Sequence, residues 1–276
     1  MDIQADNRCF GGRQLVITHA SESCACDMTF GLFLPAEAET GPVPVLWYLS
    51  GLTCTHENAM VKAGAQAHAA AHGMALVFPD TSPRGGDVAD DAAYDLGKGA
   101  GFYVNATQDP WAPHFQMKSY VLDELPALLM KGYPLDAKRQ GITGHSMGGH
   151  GALTLAMSAE GRFSSVSAFA PICNPTGSDW GRKQLSAYLG DEESTWQVYD
   201  ASVMINSGAA LPPVLIDTGV DDQFGDLLKT EVLAQALTAQ RIESQLRLQA
   251  GYDHSYFFVS TFTGDHIAFH ASHMGA

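Results

Sequence analysis

Gly144-His145-Ser146-Met147-Gly148 sets a serine between two glycines, each two positions away. A nucleophilic hydroxyl carried on a sharp strand-to-helix turn needs this spacing, because the tight turn brings neighbouring backbone close to the flanking Cα atoms. With this glycine and serine content the bare pattern arises by chance roughly 0.2 times, so its surroundings decide. Arg139-Gln140-Gly141-Ile142-Thr143 reads as the end of a short buried strand. Gly149-His150-Gly151-Ala152-Leu153-Thr154-Leu155-Ala156-Met157 reads as a helix packed by small residues. Strand, GxSxG and helix in that order predict a nucleophile elbow at Ser146.

A serine hydroxyl attacks poorly until a base takes its proton, and the base needs an acid to fix its tautomer and stabilise its charged form. On an elbow of this kind the partners follow in the order Ser, Asp or Glu, His. His254, in Gly251-Tyr252-Asp253-His254-Ser255, lies in a loop after the last predicted strand, where the base belongs. His150 points along the elbow helix, and His266, His270 and His273 fall on a terminal helix, where an exposed face is the expectation. The acid must come from Asp217-Thr218-Gly219-Val220-Asp221-Asp222-Gln223-Phe224. Asp217 still belongs to the strand; Asp222 is the preferred candidate and Asp221 its rival. An oxyanion hole takes one backbone N–H from the residue after the nucleophile, Met147, and one from a loop after an earlier strand. Gly51 allows a close turn after the third predicted strand, which makes Leu52 N–H the expected second donor.

The elements that must hold these groups follow from apolar patterning. Gln14 to Thr18, Met28 to Leu34, Val43 to Leu49 and Met74 to Phe78 read as strands. Val43 to Leu49 is apolar almost throughout, as a strand buried on both faces should be. Glu57 to His72, Phe115 to Met130 and Asp226 to Gln240 read as helices, and Ser165 to Ala170, Pro213 to Asp217 and Ser244 to Leu248 as further strands. Pro171 to Gly190 reads as irregular, and Asp80 to Pro113 as a long polar loop of the sort that rims a site. Alternating strands and helices predict an α/β fold, a mostly parallel central sheet with helices on both faces. Its site gathers at the carboxyl ends of the strands.

The 276 residues carry no linker, repeat or charge block, so one domain over residues 1–276 is expected. A net charge of −15 argues against nucleic acid or an anionic membrane as partner. No apolar run reaches the roughly 18 residues of a membrane span, and Met1 to Phe10 lacks the pattern of a secretory signal. The five cysteines Cys9, Cys24, Cys26, Cys54 and Cys173 suggest no disulfide framework and fit a reduced, cytoplasmic protein.

Leu49-Ser50-Gly51-Leu52-Thr53-Cys54-Thr55, Gly144 to Ala152, Asp217 to Phe224 and Gly251 to Phe257 together resemble the S-formylglutathione hydrolase (esterase D) family. Cys9-Phe10-Gly11-Gly12 and Asp179-Trp180-Gly181-Arg182-Lys183 fit the same pattern, so the resemblance runs almost the full length. It implies an α/β-hydrolase that splits S-formylglutathione into glutathione and formate, the last step of glutathione-dependent formaldehyde disposal. It also implies a triad on Ser146, Asp222 and His254, no metal or organic cofactor, a small thioester or ester as substrate, and a homodimer.

Cys54, beside the oxyanion loop, is expected to be a buried packing thiol close enough to the pocket for bulky thiol reagents to block it. Trp180 and Phe224 are candidate walls of the acyl or glutathionyl pocket. Arg182 and Lys183 are expected at a solvated surface.

Overall fold

The computed structural model describes residues 1–276. Nine strands, β1 (Asp2–Cys9), β2 (Gly12–Ser21), β3 (Cys26–Leu34), β4 (Val43–Leu49), β5 (Ala75–Pro79), β6 (Leu135–His145), β7 (Ser165–Phe169), β8 (Val214–Gly219) and β9 (Ser244–Gln249), form one sheet. They lie in the order β1-β2-β3-β5-β4-β6-β7-β8-β9. The pairings from β5 through to β9 are parallel, and only the β1-β2-β3-β5 flank is antiparallel. β4, β5, β7 and β8 are buried at every position, as strands covered on both faces must be.

The helices are α1 (His56–Lys62), α2 (Ala65–Ala71), α3 (Met117–Ser119), α4 (Leu125–Gly132), α5 (Met147–Ser158), α6 (Asp179–Leu189), α7 (Ala201–Asn206), α8 (Gly225–Leu228), α9 (Thr230–Ala239) and α10 (Tyr256–Met274). Two glycines of β6 show how the faces are shared. Gly141 and Gly144 are three residues apart and so face opposite sides of the sheet. A Cβ on Gly144 would meet Gly148 of α5 at 2.2 Å, whereas one on Gly141 would meet the His270 ring of α10 at 2.7 Å. The elbow helix and the terminal helix therefore sandwich the central strand, each seated where a side chain is missing.

Several elements depart from the sequence reading. β1 is a ninth, exposed edge strand, paired with β2. The segment read as irregular holds α6, whose start is capped by the Ser178 hydroxyl accepting from Gly181 N–H. The helix expected over 57–72 is two helices broken at Gly64, where φ is +68°.

The expected exposed histidine face on α10 is also corrected. His266 and His270 are buried, and only His273 reaches the surface region. His266 Nε2 lies 2.9 Å from Asp217 Oδ2, and its ring stacks on Phe169 at 3.7 Å. His270 bridges Ser165 Oγ and Ser167 Oγ at 2.7 and 2.8 Å. Ser260, Thr261, Asp265 and Ser272 take the exposed side of α10, which turns these rings inward onto partners from β7 and β8; His266 Nδ1 alone keeps no partner.

Burial lowers the proton affinity of four enclosed imidazoles, His145, His150, His266 and His270, below the usual histidine range, His150 to about 4. The unfolded chain therefore takes up more protons than the folded one as pH falls below about 6.5, and stability is lost through the folded values. His150 alone contributes about 3 kcal/mol to that loss. Thermal midpoints measured from pH 7 down to pH 4 should fall steeply; a flat profile would contradict the burial of these rings as neutral groups.

Candidate active site

β6 ends at His145 and α5 begins at Met147, leaving Ser146 alone at the turn with φ +57° and ψ −117°. A non-glycine residue in this region is strained by about 1–3 kcal/mol. The neighbours hold it there: Ser146 N–H donates to Phe169 O at 2.9 Å, and Ser146 O accepts from His150 N–H at 3.0 Å. Added Cβ atoms at the flanking glycines show why they are glycines, since Gly148 would meet Leu49 O at 2.1 Å. The serine is thereby raised at the carboxyl end of the sheet.

The turn after β8 places Asp222 Oδ2 2.6 Å from His254 Nδ1, while Asp222 Oδ1 accepts from Phe224 N–H at 2.7 Å. The Asp222 carboxylate is enclosed and the His254 ring nearly so, at 1% and 10% exposure. Asp221 is exposed and meets no imidazole; its N–H donates to Tyr252 O, tying the Asp222 loop to the His254 loop. Asp217 is committed elsewhere, to Arg247, Gln249 and His266. Geometry thus pairs His254 with Asp222. The His254 ring is held from two sides, by His145 at 4.6 Å between centroids and by the edge of Phe224 at 4.9 Å.

Ser146 and His254 line one cavity of about 300 Å³. Ser146 Oγ makes no hydrogen bond in this structure, and contacts of this kind commonly tighten only around a substrate. The oxyanion candidates are well placed. A Cβ on Gly51 would lie 3.2 Å from Ser146 Cβ, so the loop after β4 runs directly against the serine. Leu52 N–H donates to no backbone acceptor, and Met147 N–H, at the first position of α5, has no acceptor within its helix. Two amides are left open beside one hydroxyl.

Cys54, Trp180 and Phe224 all face the same cavity. Tyr94, Ile172, Leu227, Leu228 and Tyr256 complete much of its wall and were not singled out from the sequence. They are ordinary apolar or aromatic residues whose position in space carries the only signal. His145 was passed over too, although it sits inside the motif itself. No Lys, Arg, Asp or Glu lines the cavity. Lys183 is exposed, as expected, and reaches the buried Asp95 at 2.7 Å; Arg182 pairs with Glu193.

Burial pushes the Cys54 thiol up from its usual value, which keeps it protonated at neutral pH. A small alkylating reagent should therefore react slowly, and a bulky one, once attached, should fill the cavity. Cys54→Ser is expected to keep turnover and lose inhibition by such a reagent; persistent inhibition would place the point of attack elsewhere.

A parallel-centred sheet wrapped by helices, with a strained serine elbow below an Asp-supported histidine, defines an α/β-hydrolase. Residues 21–269 match the esterase family, described as "Putative esterase". The chain is 58% identical over 271 residues to an S-formylglutathione hydrolase of Paracoccus denitrificans (strain Pd 1222), covering 98% of this chain and 97% of the relative. It is 50% identical to an S-formylglutathione hydrolase of Mus musculus, covering 99% and 98%. The solved structure of an S-formylglutathione hydrolase from Agrobacterium tumefaciens superposes with a TM-score of 0.98 at 47% identity, covering all of both chains. The protein belongs to this esterase family, and it is a hydrolase.

Proposed function

We propose that the protein hydrolyses S-formylglutathione to glutathione and formate through a formyl ester on Ser146. The observation that carries the mechanism is the 2.6 Å hydrogen bond between Asp222 and His254 at the mouth of the Ser146 cavity. The named relatives, at 50–58% identity over nearly the whole chain, support the substrate.

His254 takes the Ser146 proton as the hydroxyl attacks the formyl carbon, and Asp222 stabilises the imidazolium. The carbonyl oxygen gains negative charge against Leu52 N–H and Met147 N–H, a gain of about 3 kcal/mol per well-aimed donor. The C–S bond then breaks, and the glutathione sulfur leaves with the proton that His254 took from Ser146, which returns the imidazole to its neutral form. Because a thiol has a pKa near about 8.5, its departure needs less help from the imidazolium proton than an alkoxide would. Water enters, gives its proton to His254, and attacks the formyl ester; Ser146 recovers its proton as formate departs.

The uncharged cavity wall favours a second reading, a general carboxylesterase for short acyl esters, since nothing in the lining demands a charged leaving group. Turnover of S-formylglutathione against a panel of thioesters and short aryl acetates separates the two. A large excess in kcat/KM for S-formylglutathione supports the first; a large preference for the acetate overturns it. All five cysteines are free, which supports the cytoplasm as its compartment. The homodimer implied by the family resemblance is read by sedimentation.

A further inference from the structure

The long segment between β5 and α3 does more than rim the cavity. Its stretch from Asp95 to Ala106 is mostly buried, and the segment grips the loop after β4 at both ends. At the near end Tyr103 Oη donates to Ser50 O at 2.9 Å. At the far end Thr81 Oγ1 and Arg84 both donate to Cys54 O. Between them Thr53 N–H donates to Gly99 O at 2.9 Å. The fit is close: a Cβ on Gly99 would lie 3.0 Å from Thr53 Cα. Within residues 50–54 the Leu52 amide, like those of Ser50 and Gly51, has no backbone acceptor.

Tyr103 is the most constrained part of this brace. Phe102 and Tyr103 stand at φ +47° and +53°, two consecutive non-glycine residues in the left-handed region. Such outliers persist only where the surroundings over-determine them, and they point from structure toward function. Tyr103 is fully buried, and its ring packs against the elbow helix, where a Cβ on Gly151 would meet it at 2.4 Å. One side chain thus touches both the helix that begins at Met147 and the carbonyl two residues before Leu52. Burial raises the phenol well above its ordinary pKa, so it remains a donor at any working pH.

We propose that Tyr103 is a positioning residue for the reaction: its hydroxyl, by holding Ser50 O against the elbow helix, aims Leu52 N–H at the developing oxyanion. The inference rests on the reading that Leu52 N–H serves the Ser146 chemistry.

Tyr103→Phe keeps the ring, and hence the packing on Gly151, and removes only the donor. With kcat normalised to sites titrated by a fluorophosphonate, kcat is expected to fall about 10-fold on S-formylglutathione and on an aryl acetate alike, with KM changed less than about twofold. A trifluoromethyl ketone, whose hemiketal oxygen mimics the oxyanion, should weaken by the same factor, while product inhibition by glutathione stays constant. A variant that merely folds less well would lose titrated sites and leave the ketone's inhibition constant unchanged. Thr81→Val, which frees the other end of the loop, should move kcat and the ketone in the same direction. The inference is overturned if Tyr103→Phe keeps normalised kcat within about twofold, or if its loss falls on KM. Ser146→Ala with turnover intact would instead sink the underlying mechanism, whatever Tyr103 does.

Discussion

Ser146→Ala should lower kcat by at least about 10⁴-fold while leaving the fold intact, because the proposed acyl-enzyme forms on this hydroxyl. The residual rate would come from binding and the two open amides. The same position carries a second, opposite effect. Ser146 sits at φ +57°, where any Cβ is strained, so alanine keeps the strain and glycine relieves it. Ser146→Gly should therefore be inactive yet more stable than the parent by about 1 kcal/mol. Thermal unfolding of the three proteins side by side checks this. An active Ser146→Ala would remove the acyl-enzyme mechanism, and a Ser146→Gly less stable than the parent would show that the turn is not strained by its Cβ.

The candidate residues could be placed from the sequence because they follow strands. β4 and β8 open on runs of apolar residues, and β6, polar in its first half, ends in the GxSxG pattern itself; the turns after these three strands carry Leu52, Asp222 and Ser146. What escaped lacks a local signal. β1 is mostly polar or charged, lies at an exposed edge and buries almost nothing, so only its pairing with β2 makes it a strand. The break between α8 and α9 is a lysine, Lys229, held left-handed at φ +57°, a conformation its side chain does not announce. The burial of His266 and His270 depends on Asp217, Ser165 and Ser167, about 50 to 105 residues earlier in the chain. The α6 helix is a different case. Its Ser178 cap and the glycine at 190 that ends it are ordinary boundary signals. Leu185, Tyr188 and Leu189 are spaced as a helix requires, but the first half, Asp179 to Gln184, holds an acidic residue, a glycine and two basic residues, which hides the pattern. Cavity walls such as Tyr94 and Leu228 could not be told from core residues by type alone.

Three aspartates within six residues, Asp217, Asp221 and Asp222, have three different surroundings, and the same Asp→Asn change should give three different results. At Asp222 the amide can no longer both hold His254 Nδ1–H and stabilise the imidazolium; the 2.6 Å contact becomes a weaker one that favours the wrong tautomer. Asp222→Asn should lower kcat by about 10⁴-fold with little change in unfolding midpoint. Asp221 is exposed and contributes its backbone N–H, which asparagine keeps, so Asp221→Asn should leave kcat within a few-fold of the parent. Asp217 is wholly buried and held well below the ordinary carboxylate range by His266, Arg247 and Gln249, working against the cost of burial. Its neutralisation leaves Arg247 without its anion and His266 Nε2–H with a weaker acceptor, and Asp217→Asn should cost about 2–4 kcal/mol of stability. Its surviving native fraction should still turn over, because Asp217 touches neither Ser146 nor His254. Measuring kcat per titrated site and the unfolding midpoint for all three variants separates catalysis from folding. If Asp221→Asn proves to be the inactive variant and Asp222→Asn the silent one, the pairing of His254 with Asp222 does not operate during turnover.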